Sequence, residues 1–330
     1  MMDAASTVLV AGLDGVEMTS SEIDFYREEK PSGVTLFRRN ISEDFRRVKA
    51  LNDSLQKLIG QDCPGIVAID QEGGRVRRIR EPFPDFGPAL ELFSDDEEGV
   101  RQHKIRNYGR VVGSSLRDLG VNVNFAPVLD ILTNENNTAI GDRVFARDAK
   151  LVSKRAGAFL EGMQASGVKG CLKHFPGQGD ADFDTHLSSA VIDYTKEELW
   201  NREISPFRDL AQSCDLMMIS HAIYPAYDSK PASVSKVIME DLLRGELSYQ
   251  GLVVSDDMNM EAINQDKALW QASLVEAVAN GADLLLVCQG LDKFKIALEG
   301  LRSEAKKSKA FNDRLEVAAS RIMDFRKTLR

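Results

Sequence analysis

The chain has 330 residues, 43% of them hydrophobic, and a formal net charge of −9 at pH 7, enough length for one large α/β barrel or two ordinary domains. That charge argues against a general binder of nucleic acid or of an anionic membrane surface, either of which needs a basic face. No apolar run approaches a membrane span, no basic segment leads a long apolar run at the N-terminus, and Cys63, Cys171, Cys214 and Cys288 form no CxxC pair, so a cytoplasmic protein with reduced thiols is the simplest expectation.

In chain order, short β-rich runs occur at Thr7–Ala11, Gly33–Phe37, Gly65–Ile69, Val121–Phe125, Gly170–Lys173, Leu216–Ile219, Gly251–Val254 and Ala282–Val287. Between them lie amphipathic stretches such as Glu43–Ile59, Ile105–Leu119, Asp148–Ser166, Thr195–Ser213 and Asp266–Asn280. Eight mostly continuous apolar strands alternating with helices predict an α/β fold, a TIM-type (β/α)8 barrel forming a single domain over residues 1–330. Phe311–Arg330 reads as a C-terminal closing helix, with Leu315, Ala318, Ile322 and Phe325 on one face, and no second domain is expected. A doubly wound open sheet is the alternative, but no GxGxxG follows the first strand.

Chemistry in such barrels sits at the C-terminal strand ends. Asp70-Gln-Glu-Gly-Gly-Arg75 follows the third strand, Lys173-His174 the fifth, Ser220-His221 the sixth and Ser255-Asp256-Asp257 the seventh. The Gly-Gly pair suits a sharp turn, and Asp70 is either a ligand-binding carboxylate or a cap on a βα loop. Arg143, in the long loop after the fourth strand, is either functional or simply paired with its neighbour Asp142. Asp256 has the rigid mount that a nucleophilic carboxylate needs, while Ser255 or Asp257 can cap a helix starting near Met258. Asp184-Thr185-His186 is an Asp-x-His step in which a carboxylate orients an imidazole for proton transfer. A metal held by His174, Asp184 and His186 matches no common zinc spacing, and neither metal nor cofactor is expected. His221 is open between a packing and a ligand role, and His103 is expected in solvent.

Taken together these segments resemble glycoside hydrolase family 3, specifically the single-domain β-N-acetylglucosaminidases of the NagZ type. The resemblance runs from Gly33 to about Ile263 through Gly33-Val-Thr-Leu-Phe-x-Arg-Asn40, Ile69-Asp-Gln-Glu-Gly-Gly-Arg-Val76, Asn124-Phe-Ala-Pro-Val-Leu-Asp130, Ile140-Gly-Asp-Arg143, Lys173-His-Phe-Pro-Gly177, Asp184-x-His186, Pro231-Ala-Ser-x-Ser235 and Ser255-Asp-Asp257. It implies Asp256 as nucleophile, His186 as acid/base with Asp184 orienting it, and sugar contacts from Asp70, Arg143, Lys173 and His174. One departure is Gln178, where the family usually carries histidine.

The resemblance further implies retaining, exo-acting release of terminal β-linked N-acetylglucosamine through a covalent glycosyl-enzyme, with GlcNAc-1,6-anhydroMurNAc cell-wall recycling fragments as substrate. A small carbohydrate or muropeptide is thus the expected partner, with neither nucleic acid nor membrane; nothing in the sequence fixes an oligomeric state. Arg75, Arg77, Arg78, Arg143 and Lys173 offer cations to an anionic fragment. The rivals are a β-glucosidase or a glycoside phosphorylase of the same family, told apart by their products, and a non-catalytic sugar-binding barrel. Activity is expected to peak at about pH 6–7, shifted upward by Asp184. The loop Pro176–His186, with Gly177 and Gly179, is expected to move so as to carry His186 to its target.

Overall fold

The computed structural model describes residues 3–181, 190–260, 262–263 and 266–329. The eight apolar runs become parallel strands: β1 (Leu9–Gly12), β2 (Gly33–Leu36), β3 (Ile66–Ile69), β4 (Val123–Asn124), β5 (Leu172–Phe175), β6 (Leu216–Ile219), β7 (Leu252–Asp257) and β8 (Leu284–Val287). They are ordered β4-β3-β2-β1-β8-β7-β6-β5, and β4 meets β5 through bridges Val123 to Lys169 and Val128 to Lys173, so the sheet curls round into the expected (β/α)8 barrel. At this last seam the ladder is sparse because Pro127 has no N–H to give; its carbonyl still accepts from the Lys173 N–H at 3.3 Å, and Leu129 N–H donates to the Lys173 carbonyl at 2.6 Å.

Apart from the polar end of β7, the strand residues are buried, which is why the runs read as continuous rather than alternating apolar sequence. The surrounding helices bury one stripe each. In Phe45–Ile59 the buried set is Val48, Leu51, Asn52, Leu55 and Ile59, the spacing of one helical face, and Asp44 caps the start by accepting from the Arg46 N–H at 3.0 Å. Ala149–Ala165, Lys267–Ala279 and the closing helix Lys309–Arg326 also stand near their expected bounds, while the helix expected from Ile105 begins about two turns earlier and runs Glu98–Asp118. Thr195–Ser213 differs. It splits into Lys196–Asn201 and Ser205–Leu210, because Pro206 fits only the first turn of a helix and ends continuation from the one before. Among the described residues no helix is long and apolar enough to cross a membrane.

The end of the barrel away from the polar strand ends is fastened by one carboxylate. Asp283, immediately before β8, is fully buried. Its Oδ2 accepts from Arg244 at 2.6 Å and from the Val253 N–H at 3.0 Å, and its Oδ1 from Arg314 at 3.1 Å and Arg321 at 3.4 Å. The closing helix is thereby tied to β7 and β8, and Arg326 adds bonds to the carbonyls of Ile59, Cys63 and Pro64. Removing the shared partner leaves Arg244 and Arg314, both largely shielded from solvent, without this counter-charge. Asp283→Ala is therefore expected to lower unfolding free energy by about 3–5 kcal/mol, read as a shift in urea midpoint; a change under about 1 kcal/mol would mean that water replaces the carboxylate at no cost.

Candidate active site

Asp70 leaves β3 and enters a short antiparallel hairpin, Gln71–Gly73 against Val76–Arg77. The Gly-Gly pair closes this hairpin rather than a simple strand-to-helix loop: Gly73 and Gly74 have φ of 106° and 54°, values that glycine adopts without steric cost. Extended backbone sends alternate side chains to opposite sides. Gln71 accordingly turns to the main chain, accepting from Arg78 and Ile79 N–H at 3.0 Å each, while Asp70 and Glu72 face the barrel mouth together.

There they join a chain of alternating charge. Arg78 donates to Asp70 Oδ2 at 2.8 Å, Lys173 Nζ reaches Asp70 Oδ1 at 2.8 Å and Glu72 Oε1 at 2.6 Å, and Arg143 grips both oxygens of Glu72 at 2.8 Å. The Lys173 side chain is 2% exposed and that of Glu72 is 5%. Burial alone pushes both carboxyls up, but Lys173 and Arg78 outweigh it at Asp70, holding that group well below its ordinary range, and Arg143 and Lys173 bring Glu72 down to about 2. Lys173 is raised in turn: burial opposes its charge, and Asp70 and Glu72 overcome that. Arg143 thus pairs with Glu72, not with its neighbour Asp142, which instead binds Arg75 at 2.9 Å.

The adjacent aspartates at the end of β7 have opposite environments. Asp256 is opposed by burial, yet the imidazoles of His174 and His221, the Asp257 N–H at 2.8 Å and Lys173 together hold it below the ordinary carboxylate range. Asp257 is raised by burial despite bonds to its Oδ1 from Asn259 N–H at 3.1 Å, Asn259 Nδ2 at 2.8 Å and Cys288 N–H at 3.3 Å. Asp257 organises the turn after β7. Among the described residues it caps no helix there; the next described helix starts at Lys267 and is capped by Asp266.

The histidines divide similarly. His174 Nδ1 lies 2.6 Å from Asp130 Oδ2, a bond that orients the ring at the cavity wall. His221 is 1% exposed and bridges Ser233 Oγ at 2.7 Å and the Asp257 carbonyl at 3.1 Å; burial lowers its pKa, against the pull of Asp256 and Asp257. His103 is exposed, as expected.

Asp70, Arg143, Lys173, His174 and Asp256 converge on one cavity of about 290 Å³, also lined by Glu72, Arg75, Arg78 and Gln178 and floored by Thr35, Phe125, Met218, Leu286 and Cys288. Asp184 and His186 lie outside the described residues. The segment before them is packed close: positions 171–179 are buried, and a Cβ on Gly179 would fall 1.7 Å from the Ile131 carbonyl oxygen. Gly177 and Gly179 therefore stand where the backbone approaches its neighbours closely. Glu72 and Asp130 are site residues for which sequence reasoning gave no specific role, and Arg78, expected to meet an anionic fragment, also serves as the partner of Asp70.

The profile of the Glycosyl hydrolase family 3 N terminal domain matches residues 10–325. The chain belongs to glycoside hydrolase family 3. β-Hexosaminidases of Idiomarina loihiensis and Pseudomonas aeruginosa are each 33% identical to it, over 85% and 89% of this chain and 83% and 86% of theirs. Among solved structures, the β-N-acetylhexosaminidase of Beutenbergia cavernae superposes with a TM-score of 0.87 at 27% identity, covering 98% of this chain and 97% of that one. NagZ from Neisseria gonorrhoeae, in complex with N-trifluoroacetyl-D-glucosamine, gives 0.82 at 25% identity, covering 96% and 98%. The family 3 chain described here is thus a glycosidase of the β-hexosaminidase type.

The charge chain has a pH signature. Asp70 and Glu72 are depressed on folding, so their stabilisation is complete above their ordinary values of 3.8 and 4.5 and is lost as pH falls from there toward about 2. Lys173→Met removes the cation that both share. Its stability should be lower at pH 7 and should fall less steeply between pH 4.5 and 2 than that of the native protein in thermal melts; parallel slopes would show that Lys173 does not set these carboxyls.

Proposed function

We propose that this family 3 enzyme is a retaining, exo-acting β-N-acetylglucosaminidase that releases terminal N-acetylglucosamine from GlcNAc-1,6-anhydroMurNAc recycling fragments. The observation that carries the reading is an ionised aspartate, Asp256, at a cavity near the lower end of the ligand-pocket size range of about 300–1,000 Å³, with a wall that alternates cations and carboxylates. A sugar hydroxyl both donates and accepts, so such a wall meets each hydroxyl with a partner of either kind. Lys173 uses two of its three N–H groups on Asp70 and Glu72, leaving one for the sugar. The complex of gonococcal NagZ with an N-acylglucosamine supports the same class of ligand.

In this mechanism Asp256 attacks the anomeric carbon while His186, oriented by Asp184, protonates the departing oxygen. His186 then takes a proton from the water that releases the sugar from Asp256. Asp70, Arg143, Lys173 and His174 hold the ring. Arg75 and Arg78, both partly exposed at the cavity, suit an anionic fragment beyond the scissile bond.

Two measurements test the assignment. Asp256→Ala should abolish turnover of an aryl N-acetylglucosaminide with the fold intact, whereas Asp257→Ala should act mainly on stability; the reverse pattern overturns the nucleophile. For His186→Ala, an activated aryl glycoside should keep its glycosylation rate, while a natural disaccharide, whose leaving group needs a proton, should lose about 100-fold or more. Equal losses in single-turnover glycosylation would remove His186 as the acid.

A further inference from the structure

The side chain of Gln178 is not accounted for by the mechanism above, although it is 4% exposed and lines the cavity. Three of its four polar groups are committed within the protein. Its N–H donates to Asp130 Oδ1 at 2.8 Å, its carbonyl accepts from Asn137 Nδ2 at 2.9 Å, and its Oε1 accepts from Ser220 Oγ at 2.9 Å. Ser220 Oγ in turn accepts from the Ala222 N–H at 2.9 Å, which leaves its hydroxyl proton for Gln178. The amide oxygen is thereby fixed on Ser220, and the amide nitrogen is turned the other way.

That nitrogen carries two donors and has no acceptor among the described residues. Gln178 lines the cavity, the space into which that nitrogen can donate. Among the described lining residues it is the one primary amide, on a wall whose other long donors, Arg75, Arg78, Arg143 and Lys173, are cations held on acceptors of the protein.

We infer that Gln178 is a substrate-binding residue whose amide N–H donates to an acceptor oxygen of the bound N-acetylglucosamine, with Ser220 as the residue that positions the amide. The inference rests on the glucosaminidase reading of the cavity and adds a specificity contact to it. Its requirement is simple: the buried amide needs an acceptor that the described residues do not supply, and a ligand lacking one at that place leaves the donor unpaired.

The test uses free N-acetylglucosamine as a competitive inhibitor of aryl N-acetylglucosaminide hydrolysis. Gln178→Met keeps the length of the side chain and removes the donor; its inhibition constant should rise about 10-fold, with kcat/KM falling in step. Ser220→Ala removes the anchor while keeping the donor, and its inhibition constant should change less than that of Gln178→Met. Should Gln178→Met fail to fold, Gln178→Glu takes its place, since an ionised carboxylate of the same shape can accept from Ser220 but not donate to the sugar. An unchanged inhibition constant in the folded variant, or equal losses in Gln178→Met and Ser220→Ala, overturns the assignment of Gln178 and leaves the glucosaminidase reading standing. A native enzyme that neither hydrolyses the aryl glycoside nor binds N-acetylglucosamine overturns both.

Discussion

Lys173 is an ammonium with almost no contact with water, and the arrangement of the barrel mouth follows from the need to neutralise it. Taking a charge out of water costs several kcal/mol, which only close, well-directed partners offset. Two carboxylates meet that need, and each then requires a cation of its own, supplied by Arg78 and Arg143. The result joins three separate pieces of chain: the hairpin after β3, the loop after β4, and β5. β5 is also held by the sheet, and the ion pairs fix the hairpin and the loop against it. The same ion pairs that stabilise the fold are therefore a ready-made surface for a polyol, and site and fold cannot be varied separately here.

Neighbouring groups of one chemical type are driven apart by their surroundings. Asp256 faces imidazoles and Lys173 and stays ionised, while Asp257, one residue on, turns to backbone and Asn259 and is pushed toward neutrality. Strand alternation makes the division possible, because successive side chains on β7 look into different environments. His174 and His221 part in the same way, one oriented by Asp130 at the cavity and the other bound to Ser233 behind it. Pairs whose environments separate their protonation states are what acid–base and nucleophilic chemistry requires.

The barrel was legible because its eight strands are short apolar runs, and Asp70, Lys173, His174 and Asp256 were legible because they are polar groups directly at or beyond such runs. Glu72 carried a usable signal: it stands two residues from Asp70 in extended chain, which puts both on one side. Other features had no local signal. Asp130 is a partner of His174 across 44 positions, and the arginines that serve Asp283 come from positions 244, 314 and 321, pairings that only the closed barrel creates. Arg143 was misleading for the same reason, since adjacency to Asp142 suggested a pair that the distant Glu72 wins. Gln178 stood out as a departure in the motif, but its partners lie on three segments, at 130, 137 and 220, so its role could not be read locally.

The seam between β1 and β8 has a consequence for how the chain is made. Leu9 pairs with Leu285 and Val10 with Leu286, so the first strand of the barrel waits for the eighth before one of its edges is covered. During that interval β1 offers unpaired N–H and C=O groups beside apolar side chains, a template for pairing with other nascent chains. Contacts so distant in sequence are slow to form. Asp283 enters at the same moment, immediately ahead of β8, and its arginines from the closing helix follow it. Ring closure and fastening of the base thus follow synthesis of the other seven strands, and a product ending short of β8 is left with an open sheet edge.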